Sequence, residues 1–68
     1  MFNKAKFGEA VKAIRGSRSL RAFGEELNIS AATLSRIENG NSPDVDSLYK
    51  ILSYTNWNYT EFLTDKNK

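Results

Sequence analysis

The feature that most restricts how this chain can fold is the spacing of small, turn-forming and apolar residues in residues 20–39. Two short helices can cross at a steep angle when the first has a small residue at the crossing and the turn accepts a positive φ. Gly24 is that small residue, although glycine inside a helix costs about 1 kcal/mol relative to alanine. Asn28 suits the turn. The apolar residues predicted to pack at the crossing are Phe23, Leu27, Ile29, Leu34 and Ile37.

Residues that favour helix ends mark the first three predicted helices. The first runs from Asn3, as its N-cap, to Arg15. Ser19 caps the second helix and Ser30 caps the third, which is predicted to end at Asn39 before Gly40. The first helix has its apolar residues at the i, i+3, i+4, i+7 spacing of a single face. These residues are Phe7, Ala10, Val11 and Ile14.

Two more helices are predicted after a loop at residues 41–43. Asp44 is a good N-cap for a fourth helix, from Val45 to about Tyr54. Residues 58–61 have the pattern of a capping box, which begins a last short helix with Phe62 and Leu63. The fourth helix is expected to bury Val45, Leu48, Ile51 and Leu52. The predicted fold is all-α, a compact bundle of five helices in residues 1–63, followed by a polar tail at residues 64–68 that is expected to fray.

Composition excludes several kinds of protein. The 68 residues include no cysteine and no histidine, so a disulfide is impossible, and no metal site or other cofactor is predicted. No loop that cradles phosphate and no nucleophile with its base is visible, so an enzyme is not expected. No apolar run approaches the ~18 residues of a membrane span, and no signal peptide is recognised. We therefore expect a cytoplasmic protein without a membrane or small-molecule partner.

Basic residues concentrate in the first half of the chain. Residues 1–36 contain seven Lys or Arg and three Glu, a balance of +4, whereas residues 37–68 contain three basic and five acidic residues, a balance of −2. A basic half that includes the predicted helix crossing fits an anionic polymer as partner. An ordinary solvated surface explains the charge equally well.

The segment at residues 20–39 resembles the helix-turn-helix of the lambda-repressor and Cro-like family. The resemblance continues through Glu38-Asn39-Gly40, Ser42-Pro43 and residues 48–63, and covers roughly residues 7–63. It implies a lambda repressor-like DNA-binding domain whose second and third helices form the motif. The chain departs from the family pattern at Leu20, where many members have a glutamine that contacts phosphate, and at Thr55, where an apolar residue is usual.

The resemblance implies that the third helix lies in the major groove of double-stranded DNA. The base-reading candidates are Ser30, Ala31, Ala32, Ser35 and Arg36. Small side chains allow close approach to the bases, methyl contacts to thymine and hydroxyl hydrogen bonds. Arg36 can bind either a guanine or a phosphate. The DNA-backbone candidates are Arg18, Ser19, Arg21, Asn39, Asn41 and Ser42. Without the turn geometry, the polar side chains of the third helix would be interpreted as a solvated face.

Two further assignments concern structure and assembly. The resemblance implies that Arg15 and Glu38 form an ion pair between the first and third helices, the alternative being two unrelated surface charges. Tyr54, Trp57 and Tyr59 are predicted to form a dimer face. In the other interpretation, Trp57 and one tyrosine complete the core. A homodimer on a palindromic operator is favoured, because a small core gains from partner burial and a two-fold site needs two reading heads.

The predicted function is that of a sequence-specific DNA-binding transcriptional regulator, a repressor or a Cro-like switch. The alternative is a protein-binding module on the same fold, such as an antitoxin or an adaptor. Among regulators, a phage switch, a restriction-modification controller and an antitoxin autorepressor all remain open. The chain is interpreted as either a stand-alone minimal regulator or the DNA-binding head of a larger repressor.

Overall fold

A computed structural model describes residues 1–63 of the chain, and the predicted frayed tail lies outside this range. The described part contains four α-helices: α1 (Lys4–Arg15), α2 (Leu20–Leu27), α3 (Ala31–Glu38) and α4 (Val45–Thr55). Each helix begins after a residue whose side-chain oxygen accepts a backbone N–H three residues further on. The four N-cap predictions are therefore confirmed. The capping residues are Asn3, Ser19, Ser30 and Asp44.

Three of the four helices end at a residue with a left-handed or positive-φ backbone. Asn28 ends α2 at φ 61° and Asn56 ends α4 at φ 65°. Asparagine tolerates this conformation better than most residues other than glycine. Gly16 ends α1 at φ 61°. α3 ends one residue earlier than predicted, because Asn39 is its C-cap and not its last helical residue.

The fifth predicted helix is a single 3₁₀ turn, Tyr59–Phe62, and not an α-helix. The predicted capping box is present, with the Asn58 side chain accepting the Thr60 N–H at 3.0 Å and the Glu61 carboxylate accepting the Asn58 N–H at 3.4 Å. The segment then becomes extended at Leu63, which forms an antiparallel bridge with Phe2. Four residues are too few for a ladder of i→i+4 hydrogen bonds, so the turn closes with i→i+3 bonds.

The core forms where α1, α2, α3 and α4 meet beneath the 3₁₀ turn. Its buried apolar residues are Phe7, Val11, Phe23, Leu27, Ile29, Leu34, Ile37, Ile51 and Phe62. The prediction that Val45 is buried is wrong, because this side chain is 84% exposed. Val45 comes two residues before the buried Ser47, and two helical residues are separated by about 200° around the axis. α4 therefore packs through Ser47 and Ile51, with Val45 on the opposite side.

An aromatic cluster joins the first residues of the chain to the 3₁₀ turn. The Phe2 ring is stacked on Tyr59 with centroids 5.5 Å apart, and Phe7 meets Phe62 edge-on at 5.1 Å. The Asn3 N–H also donates to the Phe62 carbonyl oxygen. This role of Phe2 was not predicted from the sequence. These contacts fasten the beginning of α1 to residues nearly 60 positions later.

Candidate nucleic-acid interface

The crossing of α2 and α3 depends on close backbone approach at Gly24. A Cβ atom built on Gly24 would lie 2.5 Å from the Ile29 carbonyl oxygen, closer than real Cβ atoms come to oxygen. The predicted need for a small residue here is thus confirmed, and the neighbour is the turn that enters α3. Asn28 shapes that turn, and the Lys50 ammonium on α4 donates to its carbonyl oxygen at 2.8 Å. The turn is therefore held from both sides.

A second glycine sets the position of α3 against α1. A Cβ atom on Gly8 would overlap the Ile37 carbonyl oxygen and lie 3.2 Å from that of Glu38. This role of Gly8 was not predicted, because a lone glycine within a predicted helix does not reveal its tertiary neighbour. Any side chain at this position would push the C-terminal end of α3 away from α1. Both ends of α3 are therefore positioned by glycine contacts.

The base-reading candidates lie in the first two turns of α3 and just before them. Ser30, Ala32 and Arg36 are exposed, while Ala31 and Ser35 are partly buried. The Ser30 hydroxyl accepts the Thr33 N–H at 3.1 Å and donates to the Thr33 hydroxyl oxygen at 2.9 Å. In this arrangement the Ser30 proton is directed at Thr33, which leaves the Ser30 oxygen as an acceptor for a further hydrogen bond.

Thr33 is a candidate that the sequence analysis misses. Its hydroxyl oxygen accepts from Ser30, and within residues 1–63 its own proton has no acceptor. The three-residue spacing from the N-cap Ser30 is the signal that identifies it. Thr33 therefore adds both a hydroxyl donor and a methyl group to the beginning of the α3 surface.

Arg36 is the charged residue on the outer face of α3. In the part of the chain that the structure describes, its guanidinium takes part in no hydrogen bond or ion pair. Its backbone carbonyl is capped by Asn41, whose N–H and side-chain amide donate to it at 3.0 and 3.1 Å. This cap uses one of the two N–H donors of the Asn41 side-chain amide, a residue that was predicted from the sequence to contact the DNA backbone. Asn39 and Ser42, the other two candidates beside it, are exposed.

The N-terminus of α2 brings two of the backbone candidates together. The Ser19 hydroxyl accepts the Ala22 N–H at 3.0 Å. The preceding first-turn amides, those of Leu20 and Arg21, have no intrahelical acceptor. The Arg21 side chain is 85% exposed and its Nε lies 3.7 Å from a Glu25 carboxylate oxygen, which is a loose surface contact. This end of α2 combines unpaired amides with an accessible positive charge.

Arg18, which was assigned from the sequence to the DNA backbone, donates its hydrogen bonds to acceptors of the protein itself. Its three guanidinium nitrogens donate to the carbonyl oxygens of Ile14 and Arg15 and to the Glu26 carboxylate, at 2.6, 3.1 and 2.7 Å. The guanidinium also lies 4.4 Å above the centre of the Phe23 ring. Arg18 therefore caps the C-terminus of α1 and connects it to α2.

Arg15 and Glu38 lie together between the ends of α1 and α3. The guanidinium donates through Nε and Nη2 to the two carboxylate oxygens of Glu38, at 2.8 and 3.0 Å. Its third nitrogen donates to the Arg18 carbonyl oxygen at 2.7 Å. The hydrogen bonds to Glu38 raise the pKa of Arg15 above its ordinary value. Such a bidentate pair fixes the two side chains in one plane.

The three residues assigned to a dimer face have different surroundings. Trp57 is partly buried, and its ring packs against Phe7 and Phe62 with centroids 6.2 and 5.4 Å away. Tyr54 is 48% exposed, and its hydroxyl donates to Glu26 at 2.8 Å. That hydrogen bond is the largest cause of the lowered pKa of Glu26; desolvation opposes it, and the charge of Arg18 adds to it. Tyr59 is 42% exposed beside Phe2.

A shallow groove separates the outer face of α3 from the loop that leads into α4. It has a volume of about 120 Å³. Its lining residues are Thr33, Arg36, Ile37, Ser42, Pro43 and Asp44. The groove therefore contains one positive and one negative side chain beside the candidate reading surface.

The comparisons with known proteins agree with this geometry. A family profile described as helix-turn-helix matches residues 11–62, more than half of the chain. The chain is also similar to the plasmid copy control protein CopR of Streptococcus agalactiae, with 41% identity over 51 residues. This match covers 74% of the chain and 55% of CopR, so the chain spans about half the length of this curated relative. No solved structure matches the chain. None of the helices in residues 1–63 is long and apolar enough to cross a membrane.

Proposed function

Because the chain belongs to the helix-turn-helix family, we propose that it is a sequence-specific regulator of transcription that binds double-stranded DNA. α3 enters the major groove, and the protein acts as a repressor or Cro-like switch. One observation carries the proposal. Both ends of α3 are held by backbone contacts and caps, while the Arg36 guanidinium on its outer face has no partner within residues 1–63. A recognition helix needs both properties, a fixed position and unoccupied polar groups.

Base reading is assigned to the beginning of α3. Ala31 and Ala32 offer methyl groups to thymine, Ser30 accepts a hydrogen bond, and Ser35 both donates and accepts. Arg36 extends beyond them and reaches a guanine or a phosphate. Since these side chains are short, α3 has to lie deep in the groove before they touch base edges.

Backbone contacts are assigned to the two loops that flank α3. The exposed Arg21 and the unpaired amides at the beginning of α2 bind one phosphate. Asn39 and Ser42, with the backbone around Asn41, bind phosphates on the other side. These contacts set the register of the protein on DNA, whereas the α3 side chains supply sequence preference.

The chain is further proposed to bind a palindromic operator as a homodimer. The exposed part of Tyr54 and Tyr59 supports a dimer face near the 3₁₀ turn, with Trp57 behind it as a partly buried support. A relative whose name describes plasmid copy control supports a repressor of this kind. Two copies related by a two-fold axis would present two α3 helices to successive turns of one DNA face.

Selection of bound sequences from a random duplex pool tests the operator and the dimer together. We expect two inverted half-sites with centres separated by about one helical turn, or 10 base pairs. A single asymmetric site would contradict the dimer while leaving DNA binding intact. An unenriched pool would contradict sequence-specific binding itself.

Arg36→Ala tests whether the outer face of α3 contacts DNA. We expect operator affinity to fall at least tenfold with an unchanged melting temperature, because the Arg36 guanidinium makes no hydrogen bond or ion pair within residues 1–63. Lys6→Ala is the matched control, since it also removes one positive charge. Lys6 donates to the Glu61 carbonyl oxygen at 3.2 Å, so it lies against the 3₁₀ turn. Equal losses in the two variants would contradict the placement of α3 in the groove.

The alternative function, a protein-binding module, is favoured by a different surface. Val45 and Tyr49 are 84% and 69% exposed and lie one turn apart on α4. A pair of apolar side chains exposed in this way suits a protein partner. Retention on heparin distinguishes the two functions, because DNA binding through phosphates weakens steeply with salt and protein binding through apolar residues does not.

A further inference from the structure

The negative side chain in the groove beside α3 is held rigidly. Asp44 is the N-cap of α4, and its two carboxylate oxygens accept from the N–H and the hydroxyl of Ser47, at 3.1 and 2.7 Å. These hydrogen bonds lower the pKa of Asp44 below its ordinary value, and the carboxylate is ionised at neutral pH. Because both oxygens accept from Ser47, these hydrogen bonds restrict the rotation of the carboxylate. A fixed negative charge therefore stands beside a surface that is proposed to face a polyanion.

The positive side chain in the same groove is held far less. Arg36 is exposed, and no ion pair of 4 Å or less includes it among residues 1–63. Of the acidic residues near the ends of α3, Glu38 is engaged by Arg15. Asp44 is thus the acidic side chain that shares the groove with Arg36. A guanidinium beside this groove is attracted both to the Asp44 carboxylate that lines it and to any phosphate that approaches from outside.

We propose that Asp44 restrains Arg36 and thereby raises the specificity of DNA binding. Its carboxylate competes with DNA phosphates for the guanidinium. Non-specific binding consists almost entirely of phosphate contacts, so the competition acts on the interactions that supply nearly all of the non-specific affinity. In the operator complex, hydrogen bonds to base edges add to these contacts, so the same competition removes a smaller share of the affinity. This inference rests on the proposed function, in which α3 faces DNA.

The competition is tested with variants that remove the charge and keep a residue able to cap the helix. Asp44→Asn keeps a good N-cap and removes the negative charge. Asp46→Asn is the matched control, because Asp46 lies in the same helical turn, is 72% exposed and pairs instead with Lys50 at 3.0 Å. Affinities for random duplex and for the selected operator are measured by fluorescence anisotropy over a range of salt. Each variant is also made in an Arg36→Gln background.

We expect Asp44→Asn to bind random duplex about two- to five-fold more tightly than the parent chain. The operator should gain less, so the ratio of the two affinities falls. Asp46→Asn should leave that ratio unchanged. In the Arg36→Gln background, Asp44→Asn should have no effect, because the group that it restrains is absent. Asp44→Ser, another good N-cap, should repeat the result and exclude a peculiarity of asparagine.

Two outcomes would overturn the inference. Equal effects of Asp44→Asn and Asp46→Asn would mean that only total charge matters. An effect that persists in the Arg36→Gln background would mean that Asp44 repels phosphate directly and does not act through Arg36. If the parent chain binds neither DNA with a steep salt dependence, the proposed function itself fails, and this result is distinct from both of the others.

Discussion

The end of α1 and the outer surface of the helix-turn-helix both carry arginines, but in opposite surroundings. At the end of α1, Arg15 and Arg18 each direct all three guanidinium nitrogens to protein oxygens. On the outer surface, Arg21 has one loose contact at 3.7 Å, and Arg36 has none within residues 1–63. The first region joins α1 to α2 and α3, whereas the second leaves its charges to solvent.

This difference shows that the role of an arginine depends on the acceptors near it. A helix C-terminus offers unpaired carbonyl oxygens, and arginine satisfies several of them at once with its planar group. Glu26 and Glu38 complete the arrangement at the end of α1. The outer surface has no comparable set, so its arginines are available to an external anion. Some basic residues in the first half of the chain therefore stabilise the fold, and others are accessible to a partner.

Arg15→Met should produce the largest effect, a fall in melting temperature of about 10 °C. The Glu38 side chain is only 6% exposed, and the substitution leaves its carboxylate without a counterion. Thermal unfolding followed by circular dichroism measures this change. The double variant Arg15→Met with Glu38→Leu should recover much of the loss, because it removes the unpaired charge. No recovery would show that the pair is unimportant and that packing alone was disturbed.

Arg18→Gln and Arg21→Gln, identical changes three residues apart, should give intermediate and opposite results. Arg18→Gln should lower the melting temperature by a few degrees and leave the salt dependence of DNA binding unchanged, since its donors face the protein. Arg21→Gln should leave the melting temperature unchanged and reduce the slope of log K against log salt by about 0.9. Exchange of these two phenotypes would invert the comparison between the two regions.

Tyr54→Phe should have the smallest effect, visible mainly as a change in acid stability. The Tyr54 hydroxyl is the largest cause of the lowered pKa of Glu26. A carboxylate whose pKa is lower in the folded protein than in the unfolded chain stabilises the fold at pH values above its unfolded-state pKa. This stabilisation is lost as the pH falls through the folded-state pKa. Without the hydroxyl, the pKa of Glu26 rises toward its ordinary value. The stability that the protein loses through Glu26 between about pH 5 and pH 3 therefore becomes smaller. Carboxyl titration by NMR measures the shift, and an unchanged Glu26 titration would contradict it.

Helix ends and the crossing were predictable because their causes are local in sequence. Helix capping depends on the residue type and its immediate neighbours, as at Ser19, Ser30 and Asp44. The left-handed turn at Asn28 likewise depends on the residue itself. Gly24 was interpretable because a mid-helix glycine needs a tertiary reason. The family resemblance then assigned the surface of α3 to DNA, which remains a prediction at the level of individual residues.

The features that sequence did not predict depend on distant neighbours. Val45 has the side chain of a core residue, but only the packing of Ser47 and Ile51 determines which side of α4 is buried. Arg18 has the charge of a phosphate ligand. The carbonyl oxygens that it binds are free to accept its hydrogen bonds because α1 ends close to it, and this arrangement is known only from the structure. Phe2 stacks on Tyr59, which lies near the other end of the described residues in sequence. No periodicity within a short window can contain this information.

The bridge between Phe2 and Leu63 has a consequence for the order in which the protein can fold during synthesis. A ribosome synthesises Phe2 before the rings that cover it, those of Tyr59 and Phe62, which follow more than fifty residues later. α1, α2 and α3 can assemble from nearby contacts before that point. The aromatic cluster therefore forms last, and a nascent chain can form its helix-turn-helix before these rings pack against the core.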